Sequence, residues 1–156
     1  MNSSNGDNKV TKKSRVLFIG YNFSYPKTIK DTLKNSNLVC STLFFDKNIE
    51  LYLSKTKYDQ FDPIFNKIKN RVIVGNYTNF VLDIPNLGLH SSYENTMNVI
   101  KYLLDKGKLM ILSDGDPYYF IKKFGEDYSN MVIDRKYMIN CSNHPYVKQT
   151  INTVFG

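Results

Sequence analysis

Apolar residues in this chain fall into short unbroken runs separated by stretches with helical spacing. Residues 15–20 form the first run, Arg15 followed by Val16, Leu17, Phe18, Ile19 and Gly20. A run with no polar alternation is the pattern of a strand buried on both faces. A helix is predicted next: Ser24 can cap it, Pro26 fits its first turn, and Ile29 and Leu33 share one face. Residues 38–45 are a second apolar run that stops at Asp46. Residues 58–69 predict an amphipathic helix, with Phe61, Ile64, Phe65 and Ile68 on one side. Residues 71–75 predict a third strand, and residues 80–84 are another apolar run. The four residues between these runs are too few for a parallel crossover. Either the two runs pair as a hairpin or one of them is not a sheet strand, and the sequence leaves both open.

Ser91 and Glu94 have the spacing of a capping box. The helix they open runs to Lys106, with Tyr93, Met97, Ile100, Leu103 and Leu104 as its buried face, and Gly107 ends it. Residues 109–112 are a strand. Asp116 and Pro117 start a further helix, whose apolar face is Phe120, Ile121 and Phe124. Residues 131–141 and 150–155 predict two late strands joined by a loop holding His144, Pro145 and Tyr146. The alternation predicts an α/β fold: a Rossmann-like, mostly parallel sheet with helices on both faces and a C-terminal antiparallel hairpin. Residues 1–14 read as a flexible basic tail and residues 15–156 as a single domain.

Composition adds three points. The 156 residues, 42% hydrophobic and 14% aromatic, suffice for one continuous core. The net charge of +7 comes from lysines scattered along the chain, which suits a solvated surface or a polyanionic partner such as RNA. The two cysteines, Cys40 and Cys141, are far apart with no CxxC neighbour, so no metal site is expected. Cys40, in an apolar run, is expected to be a buried thiol. No run is long enough to cross a membrane and no signal peptide is apparent, so an intracellular protein that is not secreted is expected.

In doubly wound sheets ligands bind beyond the carboxyl ends of the strands. The candidates are therefore the loop from Gly20 to Ser24, Asp46, the turn from Gly75 to Thr78, the segment from Asp83 to Asn86, and residues 113–116. Asp46 could accept hydrogen bonds from ribose hydroxyls, although strands often end at Asp. In Asp83-Ile84-Pro85-Asn86, a carboxylate at a strand end can hold a ring or exocyclic nitrogen while the proline stiffens the loop. As an isolated motif it also reads as ordinary strand-end punctuation. His90 and His144 lie in loops with no triad-like neighbour, and no nucleophilic role is assigned to them.

The order of these motifs resembles the large-subunit ribosomal RNA uridine-N3 methyltransferase-like domain, a Rossmann methyltransferase family. Its Gly-Glu-Gly-Asp/Asn-Phe-Ser-Phe loop looks like Gly20-Tyr21-Asn22-Phe23-Ser24-Tyr25. Its second strand looks like residues 40–46, and its Gly-Val-Asp-Ala-Thr segment looks like Gly75-Asn76-Tyr77-Thr78. Its Phe-Asn-Phe-Pro-His loop looks like Leu82-Asp83-Ile84-Pro85-Asn86. Its later strand and turn resemble residues 108–117, and its Tyr-Pro-Gly-Tyr tail looks like His144-Pro145-Tyr146-Val147-Lys148. The resemblance implies S-adenosylmethionine as cofactor, held by Gly20, Tyr21, Asn22, Phe23, Ser24, Asp46, Asn76 and Thr78. It implies Asp83, Pro85 and Asn86 as catalytic residues, RNA as partner, and a nuclear, nucleolar or cytoplasmic location. The first loop is one residue short and lacks the acid and second glycine, Asn76 replaces an acid, and a linker before Asp83 is missing. These departures fall on the cofactor side and imply a shortened, degenerate member, with catalytic activity in question.

A second resemblance is to the catalytic domain of serine recombinases, in a noncatalytic form known among large DNA viruses. Gly20 to Ser24 would carry its nucleophile, Ser24, and Phe44 to Lys47 its Phe-x-Asp-Lys segment. The activating arginines are missing. That reading expects a long C-terminal helix, against the strand character of residues 131–156. A third reading is an α/β interaction module with an exposed apolar patch.

Overall fold

The computed structural model describes residues 14–21, 27–45, 63–84, 94–113, 122, 125–126, 131–134, 136–140 and 144–156. The predicted N-terminal tail lies outside them, apart from Ser14. The apolar run after Arg15 forms β1 (Ser14–Tyr21), whose Val16, Leu17, Phe18 and Ile19 are all completely buried. Burial of consecutive residues requires cover on both faces of the strand, and the rest of the chain supplies it. β1 lies between β2 (Leu38–Phe45) and β3 (Asn79–Ile84), followed by β4 (Lys108–Ser113) and β5 (Val132–Asp134). The sheet order is β2-β1-β3-β4-β5 and every pairing is parallel.

The helices defined among the described residues are α1 (Lys27–Asn35), α2 (Pro63–Gly75), α3 (Glu94–Lys106), α4 (Lys136–Asn140) and α5 (Pro145–Phe155). They divide between two apolar clusters. Leu17 and Ile19 pack with Phe65, Ile68 and Val72 of α2 and with Val99, Ile100 and Leu103 of α3. Val16 and Phe18 pack on the other face with Leu33 of α1, Met138 of α4, and Val147 and Ile151 of α5. The chirality of crossovers explains this division. The chain steps one way from β1 to β2, then back past β1 to β3. Right-handed connections for opposite steps put their helices on opposite faces.

The α/β class, parallel sheet and helices on both faces match the expectation from sequence, but two stretches differ from it. Residues 71–75 are the last turn of α2, so residues 71–75 and 80–84 are one helix end and one strand. Val72 completes the buried face begun by Phe65 and Ile68, while Ile73 and Val74 point outward. The helical spacing of the buried residues outweighs the β preference of Val-Ile-Val. The C-terminal antiparallel hairpin is likewise replaced. Among the described residues of this segment, only 132–134 form a strand, which is parallel, and residues 145–155 are helical. Val147 and Ile151, one turn apart, bury against the sheet. The Thr150 and Thr153 hydroxyls donate back to the Tyr146 and Gln149 carbonyls at 3.0 and 2.9 Å. That local bonding keeps threonines within a helix.

The amino edge of the sheet is fastened by side chains. Arg15 Nη2 donates to the Gly75 carbonyl at 2.8 Å, and its guanidinium stacks 4.5 Å from the Tyr77 ring centroid. Asn79 Nδ2 donates to the Arg15 carbonyl at 3.1 Å. A hydrogen bond with Ser41, followed by the arginines Arg15 and Arg71, lowers the Tyr77 phenol below its ordinary value despite its burial. Between α3 and β4 the Lys108 amide donates to the Thr78 carbonyl at 2.9 Å, and a Cβ at Gly107 would collide with that carbonyl. Cys40 is half-buried rather than buried, because β2 is the last strand on its side of the sheet.

Candidate functional site

The carboxyl edge of the sheet is where this topology makes a crevice. Connections leave β1 toward one side and β3 toward the other, so the strands part above their ends. The last paired residues of β1 and β3 are Ile19 and Leu82. One step further on lie Gly20 and Asp83. A Cβ at Gly20 would stand 3.0 Å from the Asp83 Cβ and 3.1 Å from the Phe18 ring, inside ordinary contact distance. The two positions therefore abut, and glycine is what permits that approach.

Asp83 is 2% exposed, at the end of a strand that is otherwise apolar from Phe80. It is in register with Leu112 of β4, which is in register with Ile133 of β5. Leu112 and Ile133 belong to the cluster under α1, α4 and α5, and Asp83 sits on that face. A carboxylate at such depth carries a substantial desolvation cost. Its chemistry is that of an acceptor, suited to an N–H or O–H group delivered from the crevice.

Of the sequence-predicted residues, the structure brings Gly20 and Asp83 together, with Tyr21 ending β1 beside Phe45 of β2. Asp46 follows Phe45 directly but lies outside the described residues, as do Asn22, Phe23, Ser24, Pro85 and Asn86. Asn76 and Thr78 are not brought to this edge. Because residues 71–75 are helical, the turn after them, with Asn76 at φ 51°, leads into the amino end of β3. With a rise of about 3.3 Å per residue, that places Thr78 roughly 16 Å from Asp83 along β3.

Asp134, buried at the end of β5, has a local role. Its Oδ1 accepts from the Lys136 amide at 3.1 Å and its Oδ2 lies 3.7 Å from Lys136 Nζ, which fixes the entry to α4. His144 is likewise committed. It caps α5, with Nδ1 accepting from the Tyr146 amide at 3.2 Å. Sequence reasoning missed the neighbourhood of His144: its ring lies 5.1 Å from Tyr137 and 6.5 Å from Tyr146. Residues 131–141 read as a strand would not have placed Tyr137 there. Among the described residues, no three His, Cys, Asp or Glu side chains converge as metal ligands, and no helix is long and apolar enough to cross a membrane.

Fold and crevice together define a doubly wound α/β domain with an acidic residue at its topological switch point. Comparison of the chain with family models, curated proteins and solved structures finds no match in any of the three.

Proposed function

We propose that the protein is a shortened S-adenosylmethionine-dependent methyltransferase-like domain that binds a nucleoside-bearing ligand between β1 and β3 and acts on or binds RNA. The observation that carries this reading is the buried Asp83 against Gly20 at the switch point. The strand order β2-β1-β3-β4-β5 is a common doubly wound order, and its switch point, where such sheets hold ligands, falls between β1 and β3.

The residues present fit such a ligand in a specific respect. Gly20 lets the β1 backbone approach Asp83, and the Asp83 carboxylate can accept from a ribose hydroxyl, an amino group or a uracil imide N–H. When bound, S-adenosylmethionine supplies an electrophilic methyl group. The role of Asp83 is then to orient a donor-bearing group, and a carboxylate does this without acting as a strong base. Calorimetric titration of S-adenosylhomocysteine tests the reading. Saturable binding by the wild type that Asp83→Asn weakens at least tenfold supports it, and absence of heat with the wild type removes it.

A second reading, the α/β interaction module, is favoured by one observation. Val39, Ile73 and Val74 are 48%, 66% and 76% exposed. The helical α5 also removes the objection that C-terminal strand character raised against the recombinase-like reading. The nucleophile of that reading, Ser24, lies outside the described residues.

A further inference from the structure

We infer that Tyr137, His144 and Tyr146, flanked by Lys136 and Lys148, form a base-stacking platform for single-stranded nucleic acid. Tyr137 and Tyr146 are 37% and 45% exposed, with ring centroids 5.8 Å apart at 68°. His144 holds them together, 5.1 Å from one and 6.5 Å from the other. Because His144 also caps α5, the cluster is anchored to the backbone rather than carried on loose side chains. Lys136 Nζ lies 5.3 Å from the Tyr137 centroid, and Lys148 is exposed one turn into α5.

The composition of the patch selects its occupant. Its exposed large side chains are tyrosines, while the exposed aliphatic residues of the described chain, Val39, Ile73 and Val74, belong to β2 and α2. Rings with polar edges beside lysines suit stacked bases and a phosphate backbone, and the net charge of +7 favours a polyanion. Asp134, 3.7 Å from Lys136, opposes this charge, and it is largely buried. The position is also informative. Tyr137 follows the carboxyl end of β5 by three residues, on the face to which Asp83 belongs. With strands about 4.8 Å apart, β3 and β5 are separated by about 10 Å.

The inference extends the RNA reading above but stands on other residues, and the two can fail separately. The test is fluorescence anisotropy of labelled single-stranded U12, dT12 and a 12-base-pair duplex with the full chain. Wild type is expected to bind both single strands more tightly than the duplex, with affinity falling as salt rises. The Tyr137→Leu/Tyr146→Leu variant is expected to bind U12 at least about tenfold more weakly at unchanged thermal stability, and Tyr137→Phe/Tyr146→Phe to keep most of the affinity. A preference for U12 over dT12 assigns the partner as RNA, and equal binding assigns single strands of either sugar. The inference is overturned if wild type binds no oligonucleotide, if duplex binds as tightly as single strands, or if the leucine variant binds like wild type. It is also overturned if the phenylalanine variant loses as much as the leucine one. Calorimetric titration of S-adenosylhomocysteine tests the crevice separately, and its outcome does not bear on the tyrosine variants.

Discussion

Gly20→Ala adds one methyl at the point where β1 and β3 meet. The new Cβ would lie 3.0 Å from the Asp83 Cβ and 3.1 Å from the Phe18 ring, about 0.5 Å inside comfortable carbon contact. Neither neighbour can swing clear. The Asp83 Cβ is tied to the backbone of a central strand, and Phe18 is completely buried. Overpacking of this kind costs about 1–3 kcal/mol, while replacing glycine returns roughly 0.5–1 kcal/mol through the unfolded chain. The net expectation is a loss of about 0–2.5 kcal/mol, centred on about 1 kcal/mol, or a Tm lower by roughly 3 °C. Guanidinium unfolding followed by circular dichroism measures it. The decisive control is Asp83→Gly, which removes one of the two obstructing atoms. In that background Gly20→Ala should cost less, giving a coupling of about 1 kcal/mol in a double-mutant cycle. If Gly20→Ala is stabilising, or the coupling is zero, positions 20 and 83 do not abut and the crevice as described is wrong.

Three further outcomes can be checked on the same protein. Gly107→Ala places a Cβ on the Thr78 carbonyl and should cost at least about 2 kcal/mol in urea unfolding, because backbone rather than a rotatable side chain must move. Asp134→Ala removes the acceptor of the Lys136 amide and should cost about 0.5–2 kcal/mol, with Asp134→Asn recovering most of it. The Tyr102 hydroxyl is buried with no hydrogen-bond partner among the described residues, so Tyr102→Phe should be neutral or stabilise by about 1 kcal/mol. Burial, then the charge of Asp105, raises that phenol above 10.0 in the folded chain. The unfolded chain then releases the proton first. The stability tied to the neutral phenol is complete below about pH 10 and is lost as pH rises toward the folded value, and Tyr102→Phe should flatten that decline.

The central strands could be read from sequence because burial on both faces leaves an unbroken apolar run. Val16 to Ile19, Phe80 to Leu82 and Leu109 to Leu112 need no periodicity to be recognised. The ends of α2 and the C-terminal segment were misleading for one reason. Val72-Ile73-Val74 and Thr150-Ile151 are β-branched, and only the tertiary packing of Val72 and Ile151 shows which period applies. Those two readings governed the site as well. With residues 71–75 as a parallel strand, Asn76 and Thr78 would have stood at the carboxyl edge, whereas after a helix end they stand at the amino edge. Gly20 and Asp83 were legible because each ends an apolar run, and strand ends are where doubly wound sheets place their ligand groups. The cluster of Tyr137, His144 and Tyr146 was not: the loop at His144 was legible, but residues 131–141 read as one strand, whereas Tyr137 lies on α4.

Amide chemical shifts of the isotopically labelled full chain, recorded during titration with S-adenosylhomocysteine, test the crevice most directly. Saturable shifts are expected at Gly20, Tyr21, Asp83 and Ile84, with Asn76 and Thr78 unmoved and the response lost in Asp83→Asn. An unchanged spectrum, or shifts centred on Asn76 and Thr78, would contradict it.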